Sequence, residues 1–392
     1  MTVSGTTACI VGVGNTPYRK WGGFGDRTEF DLACEAVRSA ANDAGLPAEK
    51  IDGFASFAND FNEGHLLQLG VGTGELKFSG AQWGGGGAGA CGAVAMATMA
   101  VETGAADYVV VLRALSQGQR GRFGQFRPGL PFGNFKSPFG LFGPPQMLGM
   151  LASRFMHEYG VTERHLAKIV LNAREKASRN PDAVFRDKPP IGIEDYLASR
   201  WISEPFRLFD CTLETDGACA LIVTSLERAR DLRQKPVRIL ASGQGSHPGW
   251  GAGATGTHTQ PHELYTTGNH DELARRLYAR AGVGPDDIRI AQVYDNFSAM
   301  PLFAFEDYGF CGRGQSAGFL DAGSIEGTSP RLALNTSGGH LAEGYMHGLN
   351  HVLEGARQIR GTSTSQAADH SLCLVVSSLA IAPSSAVILG EA

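Results

Sequence analysis

The sequence predicts an α/β protein of two related halves, in which largely parallel strands are covered by helices. Three observations carry this. Short apolar runs that end in glycine alternate with segments of helical spacing along most of the 392 residues. The alternation breaks off near Ser116 and resumes near Arg200. It then starts again near Val237, so two strand–helix series follow each other with little sequence in common. The expected organisation is a first half over 1–235, carrying an inserted loop domain at about 116–200, and a second half over 236–392.

The elements follow in order. Thr7–Thr16, "TACIVGVGNT", reads as a buried strand running into a loop. Between Asp26 and Leu46, apolar residues at Phe30, Ala33, Val37, Ala40 and Ala41 have helical spacing; Asp26 or Thr28 caps the start and Gly45 stops the end. Ile51–Ala58 is a second strand. The run from Gly89 to Glu102 is a helix of small residues, which other backbone can approach closely, so it should be central and buried; a strand at Tyr108–Leu112 follows. "QGQRGRFGQFRPGLPFGNFKSPFGLFGPP" sets six phenylalanines among glycines and prolines and cannot be a regular element. Two helices, Gln146–Gly160 and Thr162–Pro181, complete the insertion. A strand at Ala218–Leu226 and a short helix at Glu227–Arg233 close the first half.

In the second half, Val237–Gly245 is a strand, His270–Gly282 a helix, Asp287–Asp295 a strand and Asn296–Gly309 a helix. Arg331–Gly339 is a strand that ends in glycines, Met346–Gly361 a helix, and Ser371–Ser378 and Ser385–Glu391 the last strands.

Composition narrows the function. A net charge of -5 argues against nucleic acid as the main partner. Seven scattered cysteines with no C-x-x-C pair suggest reduced thiols in a cytoplasmic protein. The first residues lack the basic and apolar regions of a signal peptide, and no apolar run reaches spanning length, so no membrane association is expected.

Seven phrases in order carry a resemblance: "ACEAVRSAANDAGL…IDGF", "GAADYVVV", "RFMHEYGVT", "RNPDAVFRD", "LFDCTLETDGACALIVTS", "VYDNFSAM" and "NTSGGHLAEGYMHG". Over nearly the whole chain this resembles the thiolase superfamily, in the branch of thiolase-like lipid-transfer proteins related to sterol carrier protein X. The resemblance implies the thiolase fold: two βαβαβ halves related by a pseudo-two-fold, in five αβαβα layers with an inserted loop domain. It also implies a CoA thioester substrate and a dimer.

The family's nucleophilic cysteine falls on Gly87, within "QWGGGGAGACGAV". The nearest thiol, Cys91, lies one helical turn further on, ~6 Å along the axis. Glycine at position 87 leaves room and keeps a backbone N–H that can face a thioester oxygen, and Gly339 stands in the matching glycine-rich motif, so both are expected at the acyl or oxyanion site. The family's Asn-Glu-Ala-Phe or His-Asp-Cys-Phe motif matches "YDNF", with Tyr294 at the Asn/His position. The Gly-His-Pro motif matches "GGHLAEGYMHG", with Tyr345 at the catalytic histidine. The second family cysteine aligns with Ser378 or Cys373, in a stretch that lacks the family's glycine loop.

Without both the cysteine and the histidine, a covalent acyl-enzyme has no support. A retro-aldol cleavage needs no nucleophile, only a base, an acid and enolate stabilisation. This departure resembles bacterial thiolase-like aldolases that remove the last side-chain fragment of steroids. It implies a 17-hydroxy steroid 20-carboxyl-CoA as substrate, with a 17-keto steroid and propionyl-CoA as products. It also implies a small OB-fold/zinc-ribbon partner, in an α2β2 heterotetramer around a homodimer of this chain. No cofactor is then expected in this chain, and zinc only in the partner.

Tyr294 is expected as base and Tyr345 as acid, with the reverse left open. Because an unperturbed tyrosine is ~0.1% phenolate at neutral pH, a proton relay is expected from Asp295, His340 or His347. Arg120, Arg122 and Arg127 could reach CoA phosphates. The Phe123–Phe142 loop suits a flat apolar ligand or the partner, or packs on its own aromatics. The pairs His347/His351 and His258/His262 have i,i+4 spacing but no third ligand, so no metal site is expected. Two alternatives remain: a thiolase or acyltransferase subunit that recruits Cys91 or Cys373, and a non-catalytic lipid or acyl-CoA binding subunit.

Overall fold

The computed structural model describes residues 6–58, 60–83, 86–120, 137–248 and 264–392, with the side chains of Arg120 and Ser137 excepted. Arg122, Arg127, His258, His262 and most of the phenylalanine-rich loop lie outside these residues.

In the first half, β1 (Ala8–Asn15) leads to helix α1 (Glu29–Ala44), then β2 (Gly53–Phe57), β3 (Phe78–Gln82), α2 (Ala90–Glu102), β4 (Val109–Leu115) and β5 (Thr215–Ser225). Helices α3 (Pro144–Tyr159) and α4 (Glu163–Ala177) lie in the insertion between β4 and β5. The second half runs β6 (Val237–Gly245), α5 (His270–Ala281), β7 (Ile290–Val293), α6 (Met300–Asp307), β8 (Ala333–Leu334), α7 (Leu349–Arg360), β9 (Leu372–Val376) and β10 (Ser384–Glu391). Local chemistry explains the ends. Thr28, not Asp26, caps α1: its Oγ1 accepts the Asp31 N–H at 3.1 Å while Asp31 accepts the Thr28 N–H at 3.0 Å. Gly45, at φ 67°, terminates that helix.

These ten strands lie in one sheet in the order β8-β7-β9-β10-β6-β1-β5-β4-β2-β3, and the two-residue strand Arg19–Lys20, paired to β5 off this path, is its eleventh. The two pairs at each end are parallel and the five pairs between them are antiparallel. The expectation of a largely parallel sheet is therefore corrected: a strand buried on both faces is a continuous apolar run in either orientation, and the sequence does not distinguish the two. The order of pairings is the same read from either end, which is the signature of two halves related by a two-fold. Helices α1 and α5 occupy equivalent places, as do α2 and α7.

Strand faces show the layers. On β1, Cys9 and Val11 pack with α1, whereas Ala8 and Ile10 pack into a core that also contains residues of α2 and α7. On β9, Cys373 and Val375 join that central core, whereas Leu374 and Val376 face α5, α6 and the insertion. Two helices thus lie between the sheet halves, with helices outside each half. The insertion packs on the second half: Phe155 of α3 meets Phe303 of α6 edge-on, with ring centroids 4.9 Å apart. The second-half helices begin later than expected, at Met300 and Leu349, because the residues before them form the loops of the site. Among the described residues, no helix is long and apolar enough to cross a membrane.

Candidate active site

Three loops meet where α2 begins: the turn Gly86–Gly89, the segment after β7 and the glycine-rich segment after β8. The start of α2 is fastened to the second half. Ser377 Oγ accepts the Cys91 N–H at 3.1 Å, and Ser385 donates to the Ala88 carbonyl. Asn335 brackets Val293, accepting its N–H at 2.7 Å and donating to its carbonyl at 2.9 Å, which sets the position of the following Tyr294.

Tyr294 and Tyr345 form one unit. Their hydroxyls are 2.8 Å apart. Tyr294 is buried at 1% exposure, whereas Tyr345 lines a cavity of about 560 Å³. The Tyr345 N–H is held by Thr215 Oγ1 at 2.7 Å. Burial pushes both phenols up, Tyr345 to about 12. The shared hydrogen bond acts in opposite directions, lowering Tyr345 and raising Tyr294, while the Arg113 charge lowers both.

Gly87 lies against this pair. A Cβ at position 87 would fall 2.0 Å from Tyr294 Cε2 and 2.1 Å from its hydroxyl. The space that a side chain at position 87 would take is filled by the Tyr294 phenol. Gly339, at φ 59°, presses on the neighbouring carboxylate; its Cβ would lie 2.3 Å from Asp295 Oδ2. Both expected acyl-site glycines therefore touch the site residues, and neither lines the cavity.

The expected relay residues surround the tyrosines. Asp295 Oδ1 accepts the His340 N–H at 2.7 Å and faces His351 Nε2 at 3.3 Å and His340 Nδ1 at 3.6 Å. The arrangement is a buried carboxylate between two imidazoles. One ligand atom from each of these three groups lies within 4.8 Å of the others. His340 meets Tyr294 edge-on at 4.4 Å, and burial holds it neutral, well below its ordinary value. His347 stands apart from His351. Its ring meets Tyr345 edge-on at 4.9 Å, and its Nδ1 lies 2.8 Å from Arg113 Nη2. Reaching that position places His347 at φ 50°, a conformation costing about 1–3 kcal/mol.

Arg113 was not anticipated from the sequence, and His351, weighed there only as half of an i,i+4 histidine pair, belongs to the site beside Asp295. Arg113 had a visible signal, a lone charge inside the apolar strand "VVVLRAL". The cavity walls were also unforeseen. They are Pro144, Pro145, Val170, Phe185, Ile202, Leu208, Phe209, Leu213, Phe297 and Leu341, with Lys20, Arg174 and Glu214 among the polar positions. Of the three expected CoA-binding arginines, Arg122 and Arg127 lie outside the described residues, and of Arg120 the backbone alone is described. The thiols are poor nucleophiles: burial pushes Cys91 up to about 12 and Cys373 far up.

Fold and site together define a thiolase-superfamily protein with two hydrogen-bonded tyrosines at the meeting point of its two halves. Residues 251–391 match the thiolase C-terminal domain-like family. The chain is 42% identical over 391 residues to the 17-hydroxy-3-oxo-4-pregnene-20-carboxyl-CoA lyase of Mycobacterium tuberculosis, covering 98% of this chain and 99% of that one. It is 39% identical to the steroid side-chain-cleaving aldolase of Thermomonospora curvata, over 100% and 99% of the two chains. A solved Ltp2-ChsH2(DUF35) aldolase superposes with a TM-score of 0.91 at 39% identity, covering 100% of this chain and 99% of that one. The chain belongs to the thiolase-like, steroid side-chain-cleaving aldolases, and is a carbon–carbon lyase.

Proposed function

We propose that this chain cleaves a 17-hydroxy steroid 20-carboxyl-CoA by a retro-aldol reaction, releasing a 17-keto steroid and propionyl-CoA. The observation that supports this reading is the interlock of Gly87, Tyr294 and Tyr345: the space a side chain at position 87 would take is occupied by one member of a hydrogen-bonded tyrosine pair. The relatives' names supply the substrate class. The cavity beside Tyr345 has apolar walls and a volume suited to a ring system.

The steps balance without a co-reactant. With the pair carrying one phenolate, Tyr345, the member open to the cavity, takes the role of base in place of Tyr294 and accepts the C17 hydroxyl proton as the C17–C20 bond breaks. The bonding electrons pass to the thioester as an enolate, and C17 becomes a ketone. The proton held by the pair then returns to C20, giving propionyl-CoA. Tyr294 shares the proton from behind. Asp295 with His340 and His351 fixes the loop that carries Tyr294, and Gly87 and Gly339 leave the room in which the Tyr294 phenol and the Asp295 carboxylate sit. The buried thiols take no part, which removes the support for an acyl-enzyme on Cys91 or Cys373.

By likeness to the solved complex, the chain works with a DUF35 partner. The finer proposal is a small OB-fold/zinc-ribbon protein in an α2β2 assembly around a homodimer, with zinc in the partner and no cofactor in this chain. A cytoplasmic setting fits the seven unpaired thiols. The test is to give the chain and its partner the CoA thioester with no free CoA and follow products by mass spectrometry. Propionyl-CoA and the 17-ketone are expected. Turnover that requires free CoA would overturn the reading.

A further inference from the structure

Arg113 sits in the middle of β4, opposite Cys219 of β5, with its side chain 1% exposed. A guanidinium is a costly group to bury, and one so placed is paired closely or does a task. Its pairing is loose. It donates to the Phe57 carbonyl at 3.1 Å, its nearest carboxylate oxygen is Asp60 Oδ2 at 3.6 Å, and its Nε has no hydrogen-bond partner. Burial raises the Asp60 carboxyl, and the Arg113 charge opposes that rise. The closest polar contact of Arg113 is His347 Nδ1, at 2.8 Å.

That contact fixes a proton. Arginine can only donate, so His347 Nδ1 must carry a lone pair, and a neutral imidazole then carries its proton on Nε2. Burial and the Arg113 charge both keep this histidine neutral. The groups that act electrostatically on the tyrosine pair are Arg113, Asp295 and Glu214, together with the uncharged His340 and His347; His351 faces Asp295. Among these, Arg113 is the positive one.

We propose that Arg113 is the positioning residue of this site: it locks His347 as the neutral Nε2–H tautomer beside Tyr345 and supplies the positive charge against which a proton leaves the tyrosine pair. The inference rests on the retro-aldol reading for its role in turnover. Its electrostatic part is measurable without any reaction.

The test uses two variants with opposite predicted signs. R113M/D60N removes both charges and leaves neither group unpaired. D60N alone removes the counter-charge and leaves the arginine's field stronger. Tyr294 or Tyr345 is replaced in turn by a fluorinated tyrosine, whose phenol is more acidic than that of tyrosine and so titrates while the protein stays folded, and is followed by ¹⁹F NMR. The pair is expected to titrate about one pH unit or more higher in R113M/D60N, and lower in D60N, than in the wild type. In turnover, R113M/D60N should lose about 100-fold in kcat near neutral pH with KM within about twofold, and regain activity as pH rises.

A folded R113M/D60N whose tyrosines titrate as in the wild type, or whose loss of kcat is the same at every pH, would overturn the proposal. If that variant fails to fold, D60N decides: no downward shift overturns it. Wild-type cleavage measured alongside reports on the aldolase reading, and the NMR titration stands whether or not cleavage is seen.

Discussion

Gly87 and Tyr294 occupy one space between them: the side chain that position 87 lacks would stand 2.0–2.2 Å from three atoms of the Tyr294 ring and hydroxyl. The two residues are 207 positions apart in the chain and belong to different halves of the fold. Restoring a cysteine at Gly87 therefore does not restore a thiolase. G87C is expected to displace Tyr294 and lower kcat at least about 100-fold, since a misplacement near 1 Å at a reacting group has that effect. It should gain no CoA-dependent activity. Thiolysis by G87C would contradict this account.

The two tyrosines should not be equal in effect. Tyr345 opens on the cavity and Tyr294 stands behind it. Y345F is expected to lower kcat by roughly 10²–10⁴, and Y294F by less, with circular dichroism spectra unchanged in both. Stopped-flow or quench measurements of propionyl-CoA release would separate them. Equal and mild losses would remove the pair from the chemistry.

Substrate shape should be set by the cavity wall. Leu341 is 5% exposed and lines the cavity together with Phe297 and Tyr345. L341W fills that volume and is expected to raise KM for the steroid thioester roughly tenfold or more, with a smaller change in kcat. A cavity that serves another purpose would leave KM untouched.

Stability should depend on pH through Glu343. Burial pushes its carboxyl up to about 8, although Asn180, Ser337 and Asn350 all donate to it. With a folded value above the unfolded one, its contribution is full below about 4.5 and is lost as pH rises through about 8. Thermal melts should show stability falling across that window. E343Q should flatten the fall, at some cost in melting temperature from the altered hydrogen bonds. An identical pH profile in E343Q would show that Glu343 is not the group responsible.

Much of this was legible in the sequence, for physical reasons. Gly87, Tyr294 and Tyr345 stood out because each replaces a residue type with known chemistry inside a recognisable motif. The helices were legible from their caps, as with Thr28 and Gly45. Strand direction was not, because the strands around β1 and β5 are apolar on both faces. Helix Gly64–Val71 and strand β3 escaped because they are short, and β3 is part exposed with a weak pattern. Arg113 was passed over because a single charge does not break an apolar run, and its contact with His347 spans 234 positions. The sequence points to Asp295, His340 and His347 as the relay because they lie nearest along the chain. The hydrogen-bond partner of the Tyr294 phenol is instead the second tyrosine.

The cavity and the reacting pair come from different stretches of the chain. Twelve of the seventeen lining residues lie between Pro144 and Glu214, while Tyr294 and Tyr345 are carried by loops of the second half. The two stretches are laced together, since Asn180 donates to Glu343 and Thr212 donates to the His340 carbonyl. A relative that changes its wall to suit another ring system must therefore keep these few polar joints, and substrate range can drift only around them.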